Sequence, residues 1–163
     1  LSVLAAFLRN GFLHRTIREQ GGAYGGGASH DPNIAAFRFF SYRDPRLVET
    51  LDDFDASIAW LLETQHEQLA LEEAILSVMA SLDKPGSPAG EAKRDFHERL
   101  FGRTAEHRRI LRAGVVGTTL DDLHRVAETY LKPELASTAV VTHTAGADIL
   151  AERQLPLIRQ DLL

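Results

Sequence analysis

The stretch Arg18-Glu19-Gln20-Gly21-Gly22-Ala23-Tyr24-Gly25-Gly26-Gly27 decides how this chain is read. Upstream of it, apolar residues at Leu1, Leu4, Ala5, Leu8, Phe12, Leu13 and Ile17 follow a helical period, which predicts a broad, largely buried helix from Leu1 to about Arg18. Gly21 and Gly22 suit a helix stop, because glycine accepts the left-handed conformation found just past many helix ends. Extended chain should follow. Two short runs, about Ala23 to Ser29 and Ile34 to Tyr42, flank the turn-forming residues His30, Asp31, Pro32 and Asn33 and read as a β-hairpin. In the second run Ala35, Phe37, Phe39 and Ser41 alternate with Ala36, Arg38, Phe40 and Tyr42. Both faces carry apolar groups, so an interior strand is expected.

Beyond the hairpin, Asp44 followed by Pro45 is a helix start, since Asp can cap free amides and Pro is tolerated at the first helical position. That helix should run towards Gln65, with a second from about Glu67 to Leu82. Asp83 to Gly90, with two prolines and two glycines, reads as a loop. Helices are expected near Glu91 to Phe101 and Ala105 to Arg112. Another, capped by Thr119 with Asp121 and Asp122 in its first turn, should close before Pro133. A last β-run, Ser137 to His143, completes the pattern. The expected class is α/β of the α+β kind: a mainly antiparallel sheet, holding the hairpin and the last run, covered by helices. With 163 residues, 44% of them apolar, residues 1–163 suffice for a single domain around one core.

The formal net charge of -5 argues against nucleic acid as a partner, because phosphate binding needs a basic surface. The chain has no cysteine, which removes disulfides, thiolate zinc sites and cysteine nucleophiles. The apolar run Leu1 to Leu8 stops at Arg9, well short of the roughly 18 residues of a membrane span, so no membrane is expected. A signal peptide fits no better, and the opening on Leu1 suggests a chain that begins inside a larger protein. A soluble protein, cytoplasmic in preference, is the expectation. Abundant arginine and alanine hint at a bacterial source.

Several chemistries can be weighed on spacing. The glycine motif reads as a helix cap with glycines that allow close backbone packing. A phosphate loop would follow a strand and open a helix, and here the order is reversed. Zinc motifs need two histidines about one helical turn apart with a glutamate close by. His66-Glu67 is followed by Ala70 and His97-Glu98 by Phe101, while Glu106-His107 is preceded by Arg103, so each fails. Six arginines and Lys93 between Glu91 and Arg112 share that stretch with Glu91, Asp95, Glu98 and Glu106, and read as solvated ion pairs. Ser29 beside His30 is an adjacent pair in which neither side chain is set to activate the other.

From Arg18 to Tyr42 the chain resembles the M16 peptidase family, in its presequence protease branch. A helix ending Arg-Glu-x-Gly-Gly-Ala-Tyr-Gly-Gly-Gly there precedes a strand ending Ser-Tyr-Arg-Asp-Pro, present here as Arg18 to Gly27 and Ser41 to Pro45. The likeness continues through Leu82 to Pro85, Phe96, Gly102 to Thr104, and Val126-Ala127 with Tyr130. This resemblance implies an M16 LuxS/metallohydrolase-like domain, N-terminally truncated, from the C-terminal half of a two-half zinc metalloendopeptidase. The zinc would be bound by the absent N-terminal catalytic half of the same protein, with none in this fragment, which alone should be inactive. The substrate would be a short or unfolded peptide. Arg18 and Tyr24 match the arginine and tyrosine that such a half supplies to the closed active site, and Gly22, Gly25 and Gly26 fall at the substrate-binding backbone. The alternative is a non-catalytic M16-like module for peptide binding or assembly.

Overall fold

In the computed structural model, residues 1–152 together with Ile158 and Gln160 are described. Helix α1 (Ser2–Leu8) runs without a break into a π-wound segment, Arg9–Gln20. Strands β1 (Gly25–Asp31) and β2 (Ala36–Tyr42) follow, then α2 (Val48–Glu63), α3 (Gln68–Asp83), α4 (Pro88–Leu100), α5 (Ala105–Val116) and α6 (Leu120–Tyr130). A 3-10 turn, Pro133–Leu135, leads to α7 (Thr144–Glu152). The fold is α+β, with one antiparallel hairpin set among helices.

Every residue of α1 from Val3 to Leu8 is buried, so this short helix is the centre of the core. A helix apolar on all sides can only be stable when neighbours surround it. Here they are α3, β1, α2 and α6. The expected single helix to Arg18 changes its winding at Arg9, and the burial pattern gives the reason. Leu8, Leu13 and Ile17 are all fully buried. At about 100° per residue, Leu8 and Ile17 would face opposite sides of an α-helix. The wider i→i+5 winding turns less per residue and brings the three towards one face.

The hairpin pairs Gly25 with Tyr42 through to Asp31 with Ala36. Its turn lies two residues later than expected. Asp31 Oδ1 accepts from Asn33 N (2.9 Å), and Ala35 takes φ +51° to close it. β2 is not the interior strand its composition suggests, because β1 is its one partner among the described residues. Phe37 and Phe39 turn to the core, where Phe39 stacks on Phe54 at 5.3 Å, while Arg38, Phe40 and Tyr42 are exposed. Apolar groups on both faces therefore mark one packed face and one aromatic face left open.

The expected strand from Ser137 to His143 does not form. Residues 136–143 are irregular and exposed, and the chain turns helical at Thr144. The β-branched Thr138, Val140, Val141 and Thr142 favour extended backbone, but a strand also needs a partner edge, and none is paired with them. The remaining helices fall near their expected places. α2 begins at Val48 because Asp44 serves the preceding turn, accepting from Ser41 Oγ (2.5 Å), Arg46 N (3.0 Å) and Thr50 Oγ1 (2.7 Å). The predicted loop shortens to residues 84–87, since Ser87 caps α4 through Gly90 N with Pro88 at the first helical position. Thr119 and Asp122 form a reciprocal capping box on α6.

Candidate functional site

The π-wound segment and β1 meet at a sharp junction. The amide of Gly22 donates to the carbonyl of Arg18 (3.0 Å), and that of Ala23 to the carbonyl of Ile17 (3.1 Å). Gly22 takes φ +81°, a conformation that glycine enters freely, so the chain reverses there as the motif predicts. The glycines on either side answer to packing. A side chain at Gly21 would strike the Arg46 guanidinium and stand 2.5 Å from the Ile17 carbonyl. At Gly26 it would stand 2.7 Å from Ile17 Cγ2, and at Gly25 it would meet the Tyr42 ring. Beside Gly22 only Pro45 comes near, at 3.6 Å, and the surface there is open.

Arg18 lies in the last turn of the π-wound segment and is exposed. Its Nη1 is 3.2 Å from His14 Nε2, while His14 Nδ1 is 3.2 Å from Glu19 Oε1. A guanidinium only donates, so Nε2 accepts and the ring proton sits on Nδ1, facing Glu19. Tyr24 stands one residue before β1 with its side chain outward, 63% exposed. Its amide donates to the carbonyl of Arg43 (3.2 Å). The junction therefore presents a guanidinium on the helix side and a phenol on the strand side, six residues apart in sequence and on either side of the Gly22 reversal.

The junction supplies hydrogen-bond donors of fixed and neutral charge. Among the described residues no three His, Asp or Glu side chains are placed to hold a metal ion, so the residues here do not fit a zinc site. The Glu91 to Arg112 stretch is occupied by ion pairs, as its composition suggests: Arg99 with Asp95 (2.9 Å), Arg108 with Glu98 (3.3 Å) and Arg109 with Glu106 (2.7 Å). Arg94 pairs with Glu91, and Arg112 with Asp83. A cavity of about 420 Å³ between the α2–α3 link and α6, lined by His66 and His124 among others, includes neither Arg18 nor Tyr24. Tyr42 and Arg43 flank Tyr24, and no local spacing signals this: the turn expected at His30 to Asn33 would set Arg38 opposite Gly25, whereas the observed register sets Tyr42 there.

No helix among the described residues is long and apolar enough to cross a membrane. Over residues 1–145 the chain matches the family described as the PreP C-terminal domain. It is 37% identical over 142 residues to a mitochondrial presequence protease of Kluyveromyces lactis, covering 86% of this chain and 14% of the relative. A mitochondrial presequence protease of Eremothecium gossypii is 39% identical over 163 residues, covering 98% and 16%. One from Mus musculus is 36% identical over 131 residues, covering 80% and 12%. The chain thus spans between an eighth and a sixth of the length of these relatives. They are eukaryotic and named as mitochondrial, so they support neither the bacterial hint nor the cytoplasmic preference drawn from composition.

Proposed function

Because the chain belongs to the PreP C-terminal domain family, we propose that it is the substrate-contacting C-terminal part of a zinc metalloendopeptidase acting on short or unfolded peptides. In this reading zinc and its ligands belong to an N-terminal half of the same protein, which closes on the peptide against the junction of Arg18 and Tyr24. Hydrolysis of an amide builds negative charge on its carbonyl oxygen. A phenol hydroxyl and a guanidinium are donors that stabilise such charge when aimed at it, and neither has to titrate to do so. Tyr24 donates from its hydroxyl, and Arg18 adds fixed positive charge to the carbonyl or to adjacent backbone. Gly22, with open surface beside it, and the half-buried Gly26 form the rim along which the peptide lies, whereas Gly25, expected at that rim, is buried against the Tyr42 ring. The observation that carries this reading is the placement of Tyr24, outward and exposed, one reversal away from an exposed Arg18.

The test is steady-state peptide hydrolysis by the complete protein that contains this chain. Tyr24→Phe lowers kcat by roughly 10²-fold, the loss of one oxyanion donor, with the melting temperature and zinc content unchanged. Arg18→Ala also raises KM. Near-normal kcat in both variants at normal stability would reduce the Arg18 to Gly27 motif to a structural cap and favour a non-catalytic peptide-binding or assembly module.

A further inference from the structure

The second strand of the hairpin holds Tyr24 from two directions. Gly25 is paired with Tyr42, and the Tyr42 ring fills the space that a Gly25 side chain would occupy, its Cζ 2.5 Å from that point. The Tyr42 ring can therefore cross β1 and meet Tyr24 edge-on, with centroids 5.7 Å apart and planes at 61°. One residue further, Arg43 takes φ +48°, in the left-handed region that non-glycine residues enter rarely and at some cost. There its carbonyl accepts from Tyr24 N (3.2 Å) while its guanidinium carbon stands 5.3 Å from the Tyr24 ring centroid. Strain of this kind persists where the surroundings over-determine a conformation, and it concentrates at functional sites.

An exposed tyrosine at a strand start would otherwise sample several staggered rotamers. A donor to a developing oxyanion contributes only when it is already aimed. We propose that Tyr42 and Arg43 are positioning residues for Tyr24, an aromatic edge and a cation that together fix its ring so that the hydroxyl points one way. The proposal rests on the reading of Tyr24 as a substrate-contacting donor. It assigns Gly25 a purpose as well, since any side chain there would displace the Tyr42 ring.

Two measurements on the complete protein test it. The first is a kinetic cycle. Arg43→Gly accepts φ +48° without strain, so it keeps the backbone bond to Tyr24 while removing the cation. It lowers kcat by about 5-fold to 10-fold with KM nearly constant, and has no further effect when Tyr24 is already Phe. Tyr42→Ala behaves likewise, and Tyr42→Phe, which keeps the ring, recovers the loss. Full activity of Arg43→Gly and Tyr42→Ala beside a slow Tyr24→Phe would overturn the positioning role alone. Equal losses in both Tyr24 backgrounds would overturn it too, since the effect would then not pass through the hydroxyl. The second measurement is the fluorine spectrum of protein labelled with 3-fluorotyrosine, in which the Tyr24 resonance is the one lost in Tyr24→Phe. That resonance should shift towards the free-tyrosine position in Arg43→Gly and in Tyr42→Ala. An unmoved resonance in both variants would show that neither residue holds the ring, whatever the kinetics. Normal activity of Tyr24→Phe together with shifted resonances would instead sink the oxyanion reading and leave the clamp standing.

Discussion

Arg46 Nη2 donates to Asp53 Oδ2 at 2.9 Å and to the carbonyl of Thr16 at 3.3 Å. One guanidinium thus ties α2 to the π-wound segment directly beneath Gly21. The carboxylate side of the pair is 17% exposed and the arginine 26%, so removing one partner leaves the other poorly hydrated. Arg46→Met should cost about 2 kcal/mol of unfolding free energy, since a partly buried ion pair is costlier to break than to replace whole. Arg46→Met combined with Asp53→Leu should cost less than the two singles summed. Urea unfolding of the four proteins measures the cycle, and additive losses would mean the pair is not coupled.

Gly22 and Gly26 should fail for different reasons. Gly22→Ala has room but must hold φ +81°, a penalty of roughly 1 kcal/mol that Asn should partly relieve because Asn tolerates the left-handed region. Gly26→Ala has no φ problem but drives a methyl to 2.7 Å from Ile17 Cγ2, an overpacking cost of about 1–3 kcal/mol that Asn would worsen. The opposite ranking of the Asn variants in thermal melts would mean that space and backbone conformation have been assigned to the wrong glycines.

The α6 cap should show in acid. Hydrogen bonds from Arg125 and then from Thr119 hold the Asp122 carboxyl below its ordinary value of 3.8. A depressed folded-state value means that the carboxylate's stabilisation is fully present above 3.8 and is lost as pH falls through the lower, folded-state value. Asp122→Asn should flatten that part of the stability curve and leave the curve near neutrality parallel to that of the parent. Unfolding followed at several acidic pH values gives the comparison; an unchanged acid slope would remove Asp122 from the account.

Zinc added to the isolated chain should give only weak heats in calorimetry, because no three ligands converge among the described residues. A peptide carrying a quenched fluorophore should stay intact in the same preparation. Tight one-to-one uptake with turnover would place the metal site within this chain and overturn the division of labour proposed above.

The sequence by itself determined what is local or compositional. The helix that stops at Gly21-Gly22, the hairpin after it, and the cap at Thr119 follow from residues a few positions apart, because capping and turn formation are short-range. The Arg18 to Gly27 motif was also enough to carry the family. Tertiary structure decided the rest. Ser137 to His143 has the composition of a strand, yet among the described residues it pairs with no strand, and pairing is a long-range event that propensity cannot supply. The change to π winding at Arg9 follows from the need to bury Leu8, Leu13 and Ile17 together, which depends on what surrounds the helix. Tyr42 and Arg43 come to Tyr24 only through the hairpin register and the left-handed turn at Arg43. Eighteen and nineteen positions along the chain, no local rule would have paired them; the strand ladder and the bare backbone of Gly25 did.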